Sequence, residues 1–464
     1  MRMRLPSALI ARQREHRLNV PVDLTPGGPP SQYPKRRLSR MWWIMIWALF
    51  CLIGVIGAGI ALLLWPTATP AQGARFWFCV AGAPNAAFLM VLGCARATYE
   101  TTYLRALYRN QHRQKWRRAR IAHAQKPLYV LAHAYYLPLA DGTLATTIVA
   151  GKTVMTTQSP RNGAGHILHS RLTGIEPIAE PGPDDESGSF DENSAVDTAR
   201  PPTVVRAKPD GFHHVVTNVL TPLVDTLYAL SRLGMKYTPV VRLATTDANT
   251  AAIRLDHVRE ALSQLGLPSI ECDVAASNKG LMLIDDWLDE GEKQPLLVIA
   301  AEWYDTPPPS GSTEGGVAML FGVDASIGSL TAVGTMHRPV MTNLDIQSSA
   351  IQALATAALW GHASPPEVRH AWVSGLDSNY DQPLAAALKG ASFSGLADSS
   401  AIHEPDRIIG HISSGAAWLA VAAALESGVE GPQLILDQFR TVQSAILYAH
   451  PSLQHENRAE LEEH

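Results

Sequence analysis

Glu271-Cys-Asp-Val-Ala-Ala-Ser277 runs directly into Asn278-Lys-Gly-Leu-Met-Leu-Ile-Asp-Asp-Trp-Leu-Asp-Glu290, and the reading of these residues decides the fold. Leu281, Ile284 and Leu288 recur at helical spacing and share one face, so 278–290 is predicted helical, approached from a short strand through a sharp turn. Residues 295–301 form a second, wholly apolar run. After a loop of Pro, Gly and Ser, Glu314-Gly-Gly-Val-Ala-Met-Leu-Phe321 forms a third. A strand, a one-faced helix and two further buried strands make a unit built around a central helix.

Outward from this unit the same alternation continues. On its N-terminal side 128–139 is an apolar strand, 215–233 helical, 239–244 strand, 251–266 helical and 269–275 strand. On its C-terminal side 329–334 reads as strand, 346–360 as helix, 370–373 as strand and 384–388 as the start of a short helix. Residues 416–425 are small and apolar, and 434–436 with 445–448 close the sheet as a hairpin. Strands alternating with helices predict an α/β sheet covered on both faces. The later elements repeat the order of the earlier ones without repeating their sequence.

The 464 residues carry 38 Lys and Arg against 42 Asp and Glu, a formal charge of −4, so no overall basic field calls for a nucleic-acid partner. Cys51, Cys79 and Cys94 lie in apolar segments and only Cys272 lies beyond them. That leaves neither a disulfide framework nor a thiolate metal site, and it suits a reducing compartment.

Residues 42–65 contain no charge over 24 positions, and 76–95 none over 20, each enough to cross a hydrocarbon core of ~30 Å as a helix. Trp42, Trp43, Trp65 and Trp77 sit near their ends as interfacial anchors. Pro84-Asn85 is expected to kink the second span or to mark its contact with the first. Nine Lys and Arg precede Trp42, one lies in the connecting loop and nine fall within 96–126. The positive-inside bias therefore places both termini and the large domain in the cytosol. The stretch 98–125 reads as a basic helix, an ordinary positive flank or a collar on anionic headgroups. Pro181-Gly-Pro183, Asp184, Asp185, Glu186, Asp191 and Glu192 give 176–202 the composition of a disordered acidic loop.

Asp273 to Ser277 resemble the Asp-Thr-Ala-Cys-Ser turn of β-ketoacyl synthases and thiolases, except that Ala276 stands where that superfamily keeps its cysteine. Gly410-His411-Ile-Ser-Ser-Gly-Ala-Ala417 resembles the stretch Lys-Ser-x-x-Gly-His-x-x-x-Ala-Ala-Gly. His411 falls on its histidine, Asp406 on its lysine and Arg407 on its serine. In Ser374-Gly375-Leu-Asp-Ser-Asn-Tyr-Asp381, a shadow of His-Gly-Thr-x-Thr-x-x-Gly-Asp, Ser374 takes the histidine's place. The closing Gly-Phe-Gly-Gly-x-Asn turn corresponds to Phe439-Arg-Thr-Val-Gln-Ser444, without its glycines.

The resemblance covers about 128–449, is specific in two of these places and implies a thiolase-like, five-layered α/β/α/β/α domain preceded by two transmembrane helices. The expected organisation is a basic tail (1–40), a transmembrane hairpin (41–97), a juxtamembrane helix (98–127) and two similar halves (128–340 and 341–456). It further implies a vestigial site of Ala276, Ser374 and His411 with no catalytic residue, no cofactor and no metal, and a homo- or heterodimer across a sheet edge.

Thiol-based acyl transfer needs a thiolate at a helix N-terminus, a group to manage protons and an oxyanion hole. Ala276 cannot be acylated. Cys272 lies on the strand four residues before Ala276, where it is expected to be a buried, inert thiol. Other chemistries leave no trace: there is no Gly-x-Ser-x-Gly elbow, Walker loop, His-Glu-x-x-His or dinucleotide fingerprint. His166 and His169 lack further ligands at metal spacing.

The expected function is therefore a membrane-anchored, noncatalytic binding or adaptor module on the cytosolic side of a bacterial inner membrane. Its partners are the lipid bilayer and a protein. Resemblance to thiolase-like chains of type VI secretion effector clusters implies a secretion effector, and a second thiolase-like subunit is the other protein partner considered. The alternative is a divergent acyltransferase or decarboxylase of lipid or polyketide metabolism that relies on His411.

Overall fold

The computed structural model describes residues 28–34, 40–67, 69–139, 142–162, 164–173, 211–267, 270–276, 279–438 and 441–450. The acidic loop at 176–202, Phe439 and most of the basic tail lie outside them. Contacts divide the chain after Ala122.

The first unit contains α1 (Arg40–Leu63) and the start of α2 (Ala74–Ala124), both long and apolar enough to cross a membrane. One helix runs across the expected division at 97, from the second apolar stretch through the basic one. Nothing between Cys94 and Thr102 breaks it. The hydroxyls of Thr98, Thr101 and Thr102 instead donate back to the carbonyls of Cys94, Ala97 and Thr98. Pro84 has no N–H to offer the preceding turn, and that turn widens to a π-helical Phe78–Gly82, where Asn85 Nδ2 donates to Ala81 O at 2.8 Å. The Pro84 ring also sits on Gly57 of α1, where a Cβ would come within 2.5 Å of Pro84 Cγ. Pro84-Asn85 thus marks both a local irregularity and the contact between the helices.

The second unit begins with β1 (Leu128–Tyr136), α3 (Leu144–Val149), β2 (Thr156–Gln158) and β3 (Ile167–Ser170). Next come α4 (Gly211–Leu220), α5 (Val224–Arg232), β4 (Val240–Ala244), α6 (Ala251–Gln264) and β5 (Cys272–Val274). They lead to α7 (Met282–Glu290), β6 (Leu296–Glu302), β7 (Ser312–Thr313), β8 (Gly315–Gly322) and the hairpin β9 (Ser326–Ile327) and β10 (Leu330–Thr331). The chain continues through β11 (Gly334–Met336), β12 (Val340–Thr342), α8 (Gln347–Trp360), β13 (His370–Ser374) and α9 (Asp381–Gly390). It ends in β14 (Ile402–His403), α10 (Pro405–Ile409), α11 (Ala416–Glu426), β15 (Pro432–Gln438) and β16 (Val442–Ala449).

The strands lie in the order β14-β13-β15-β16-β11-β1-β8-β6-β4-β5, with β12 also on β16. Counted within each half, both read third, second, fourth, fifth, first. The senses agree as well. The second strand is parallel to the third and fourth, as β4 is to β5 and β6 and β13 is to β14 and β15. The fifth is antiparallel to the fourth and to the first. The repeat expected from element order is therefore a duplication of topology, the two halves meeting edge to edge where Leu128 faces Met336. β2, β3 and β7 form a small separate sheet.

Three apolar cores give the layers. One contains α4, α5 and α6 residues against the first half-sheet, another α8 and α9 residues against the second. Between the half-sheets lies the third, made by α3, α7 and α11 with strand residues of both halves. Helix, sheet, helix, sheet, helix is the five-layered thiolase-like arrangement.

Other expectations are corrected here. Among the described residues the helix of the deciding stretch begins at Met282, preceded by Gly280 at φ +48°, while Lys279 N–H donates to Ala276 O. The innermost helix is α11, whose residues from Ala416 to Leu425 are all buried, and the helix packed directly on it is α3. The halves also meet before Gly334, not at 340. The 329–334 stretch divides between a hairpin and β11, and His337-Arg338-Pro339 interrupts the next strand. There the fully buried Arg338 turns inward to pair with Asp285 and, at 2.8 Å, with Asp289.

Candidate functional site

Parallel strands end together, and ligands collect at their carboxyl ends. In this chain β6 ends in Glu302 and β15 carries Asp437 at its penultimate position, fourth strands of their respective halves. Both acids are buried. At Asp437 a narrow cleft of ≈ 30 Å³ is lined by Thr246, Ala276, Lys279, His411, Ser413 and Asp437. On the scale at which one water needs about 10–15 Å³, that admits about two water-sized groups among the described residues.

Ala276 and His411, far apart in the sequence, line the same cleft. His411 is held by its backbone to β7: its N–H donates to Gly311 O at 2.7 Å, and its carbonyl accepts from Thr313 N–H at 3.1 Å. Its Nδ1 lies 3.3 Å from Asp406 Oδ2. The hydrogen bond with Asp406 raises the imidazole above its ordinary range, against the opposing effect of burial. Asp406 also accepts from Gly375 N–H, so it ties the His411 loop to the end of β13.

Ser374 ends β13 and is the register partner of Asp437 on β15. Its hydroxyl donates to Asp437 Oδ1 at 2.8 Å. Burial pushes the Asp437 carboxyl up to about 7, the Ser374 hydrogen bond opposing it. Glu302 is likewise raised by burial, against the Arg254 guanidinium, which grips it with both terminal nitrogens at 3.3 and 3.1 Å. Ser413, at φ +46°, lies 2.8 Å from Thr246 through their hydroxyls.

Cys272 lies elsewhere. It is half-buried against the outer core of the first half, not the central one, and Sγ donates to Ile270 O at 3.3 Å. Burial pushes the thiol up to about 11, the reverse of activation. Among the described residues no three His, Cys, Asp or Glu are grouped to hold a metal ion.

Asp437 and Glu302 were not among the residues singled out from sequence. The available signal was an acid closing a wholly apolar strand, Leu434-Ile-Leu-Asp437 and Leu296-Leu-Val-Ile-Ala-Ala-Glu302.

No protein-family model matches the chain, and no curated protein matches it. Among solved structures it is similar to the ishigamide ketosynthase/chain length factor, at 16% identity over 70% of this chain and 100% of that one, TM-score 0.47. A ketosynthase from module 6 of the Bacillus subtilis bacillaene synthase gives 13%, 70%, 71% and 0.47. The 3-oxoacyl-[acyl-carrier-protein] synthase III of Aquifex aeolicus gives 12%, 69%, 99% and 0.39. The duplicated strand order, not these scores, defines the thiolase-like fold, and no chemistry passes from those proteins to this chain.

Proposed function

We propose that the protein is a membrane-anchored, noncatalytic thiolase-like module that binds another protein on the cytosolic side of a bacterial inner membrane. The observation that carries this is Ala276, a methyl group in the cleft where the resemblance places a nucleophile. Two further features support it. Ser374 is bonded to Asp437 and has no imidazole to offer, and Cys272 faces a different core with its thiol held protonated. The two long apolar helices support the anchor, and the positive charges at both flanks support cytosolic termini. From the resemblance we take a type VI secretion effector as the partner class, handled by this chain as an accessory.

One observation favours a second reading, a ketosynthase-like decarboxylase or acyltransferase: His411 is oriented by a carboxylate, as proton-handling histidines are. Capture of partners from detergent extracts separates the two. The adaptor reading expects native chain and His411→Ala to recover the same proteins and to support the same biological activity. Loss of activity in a folded His411→Ala chain would favour the enzyme.

A further inference from the structure

α2 stays helical well past its apolar stretch, and one side of that extension is covered by the chain itself. Asn110 Nδ2 donates to Ser31 O at 2.9 Å while its Oδ1 accepts from Ser31 N–H at 2.8 Å, Arg113 Nε donates to Gly28 O at 2.6 Å, and the Tyr33 ring lies 5.5 Å from that of Tyr103. Ala106, on the same side, is buried. The adjoining face is open. Arg105, Arg109, Trp116 and Arg120 share it, at steps of four, seven and four residues, and the three arginines are exposed. The Arg120 guanidinium rests over the Trp116 ring, 5.7 Å from its centroid.

No Asp or Glu occurs between Glu100, which pairs with Arg96 at 2.6 Å, and Asp141, so this stretch supplies no anion of its own. Among the described residues no carboxylate pairs with Arg105, Arg109, Lys115, Arg117, Arg118 or Arg120. Arg105, Arg109, Arg113 and Arg117 moreover set like charges at four-residue steps, which opposes the helix until an anion lies along it. The membrane does not supply that anion. At ~1.5 Å per residue Arg105, Arg109 and Arg120 lie ~15, ~21 and ~37 Å along the axis beyond Ala95, where the apolar stretch ends, whereas attraction to anionic headgroups fades within ~8 Å of the surface. A long nucleic acid is disfavoured as well, because residues 127–464 carry twice as many Asp and Glu as Lys and Arg and repel a polyanion that outgrows the basic face.

We infer that this face of α2 docks an acidic helix of a protein partner, whose carboxylates at four-residue steps meet Arg105, Arg109 and Arg120 around Trp116. Each guanidinium offers a carboxylate two parallel N–H bonds, and a partner helix repeats its side chains at the same ~6 Å rise as the arginines. The α2 of a second copy does not fit, because it presents like charge. This deepens the binding-module reading and rests on it, assigning partner recognition to α2 and not to the cleft at Ala276.

The detergent-solubilised full chain is titrated, by fluorescence anisotropy, into a labelled helical peptide carrying Glu along one face at four-residue steps. A peptide of the same composition with its Glu spread around the helix, a single-stranded oligothymidylate of equal charge and phosphatidylglycerol vesicles are the competing probes. Two triple variants remove equal charge and keep a good helix former: Arg105→Gln with Arg109→Gln and Arg120→Gln on the face, and Lys115→Gln with Arg117→Gln and Arg118→Gln off it. Saturable binding of the one-faced peptide is expected, at least tenfold tighter than that of the scattered one. It should weaken at least tenfold in the first variant and less than threefold in the second. No saturable binding, equal losses in the two variants or equal affinity for the two peptides overturns the inference. Tighter binding of the oligothymidylate would assign the face to nucleic acid, and displacement of the peptide by vesicles would assign it to headgroups; either overturns it. Should the first variant lose helicity, the contrast between the two peptides decides. Covalent acylation of the chain would instead defeat the noncatalytic reading and leave this binding standing.

Discussion

Ser374 donates its hydroxyl hydrogen to Asp437 across 2.8 Å, joining two register partners that lie 63 residues apart in the chain. The bond leaves the Asp437 carboxyl still pushed up to about 7 by burial, above its ordinary 3.8. The folded chain therefore binds this proton more tightly than the unfolded chain. This contribution to stability is fully present below about pH 4 and is lost as pH rises through about 7. Asp437→Asn should flatten that fall, by ~3 kcal/mol between pH 5 and pH 7.5. Urea unfolding followed by Trp fluorescence at pH 5 and pH 7.5 measures it. An unchanged difference between the two pH values would show that Asp437 titrates normally.

Arg338 is fully buried and holds Asp285 and Asp289 of α7, tying the second half to the first. Removing the cation leaves the buried Asp285 without compensation, so Arg338→Met should destabilise the chain by about 3–5 kcal/mol at neutral pH. Burial already pushes Asp285 up to about 6. The loss should therefore shrink at pH 5, where the acid neutralises itself. A loss as large at pH 5 as at pH 7.5 would assign the effect to packing.

How much of this was readable in the sequence depends on the range of the interaction. Helix and strand periods around Leu281, Ile284 and Val298 are local, and they gave the alternation, while the five layers were what the resemblance implied. Ala276 and His411 sit in short motifs, and the structure brings them to one cleft. The Ser374–Asp437 bond depends on strand register, which no local pattern encodes. β11 and β12 escaped because Arg338 and Pro339 interrupt a strand that the ion pair with α7 holds in place. The continuity of α2 escaped because a change from apolar to basic composition marks a membrane boundary, not a helix end.

Ala420 is wholly buried in α11, in the central layer. Ala420→Leu inserts three carbons where both half-sheets already press, and should cost ~1–3 kcal/mol. Thermal unfolding of the variant checks it. An unchanged midpoint would mean that the helix has room on one side.

Topology is tested in a background lacking Cys51, Cys79, Cys94 and Cys272. An impermeant maleimide applied to intact cells should label Thr69→Cys, in the loop between the spans, and spare Glu292→Cys, on the large unit. Labelling of Glu292→Cys in intact cells would invert the orientation argued from the flanking charges.

The central claim, that the thiolase-like unit does not turn over acyl thioesters, meets its most direct test in intact-mass measurement. The purified full chain is incubated with acetyl-CoA and with malonyl-CoA, and both protein mass and carbon dioxide release are followed. Loss of nucleophile and oxyanion hole each costs orders of magnitude in rate. The expected result is an unchanged mass and no decarboxylation above the protein-free rate. An acyl adduct on Cys272 or any other residue, or decarboxylation that disappears in His411→Ala, would contradict it.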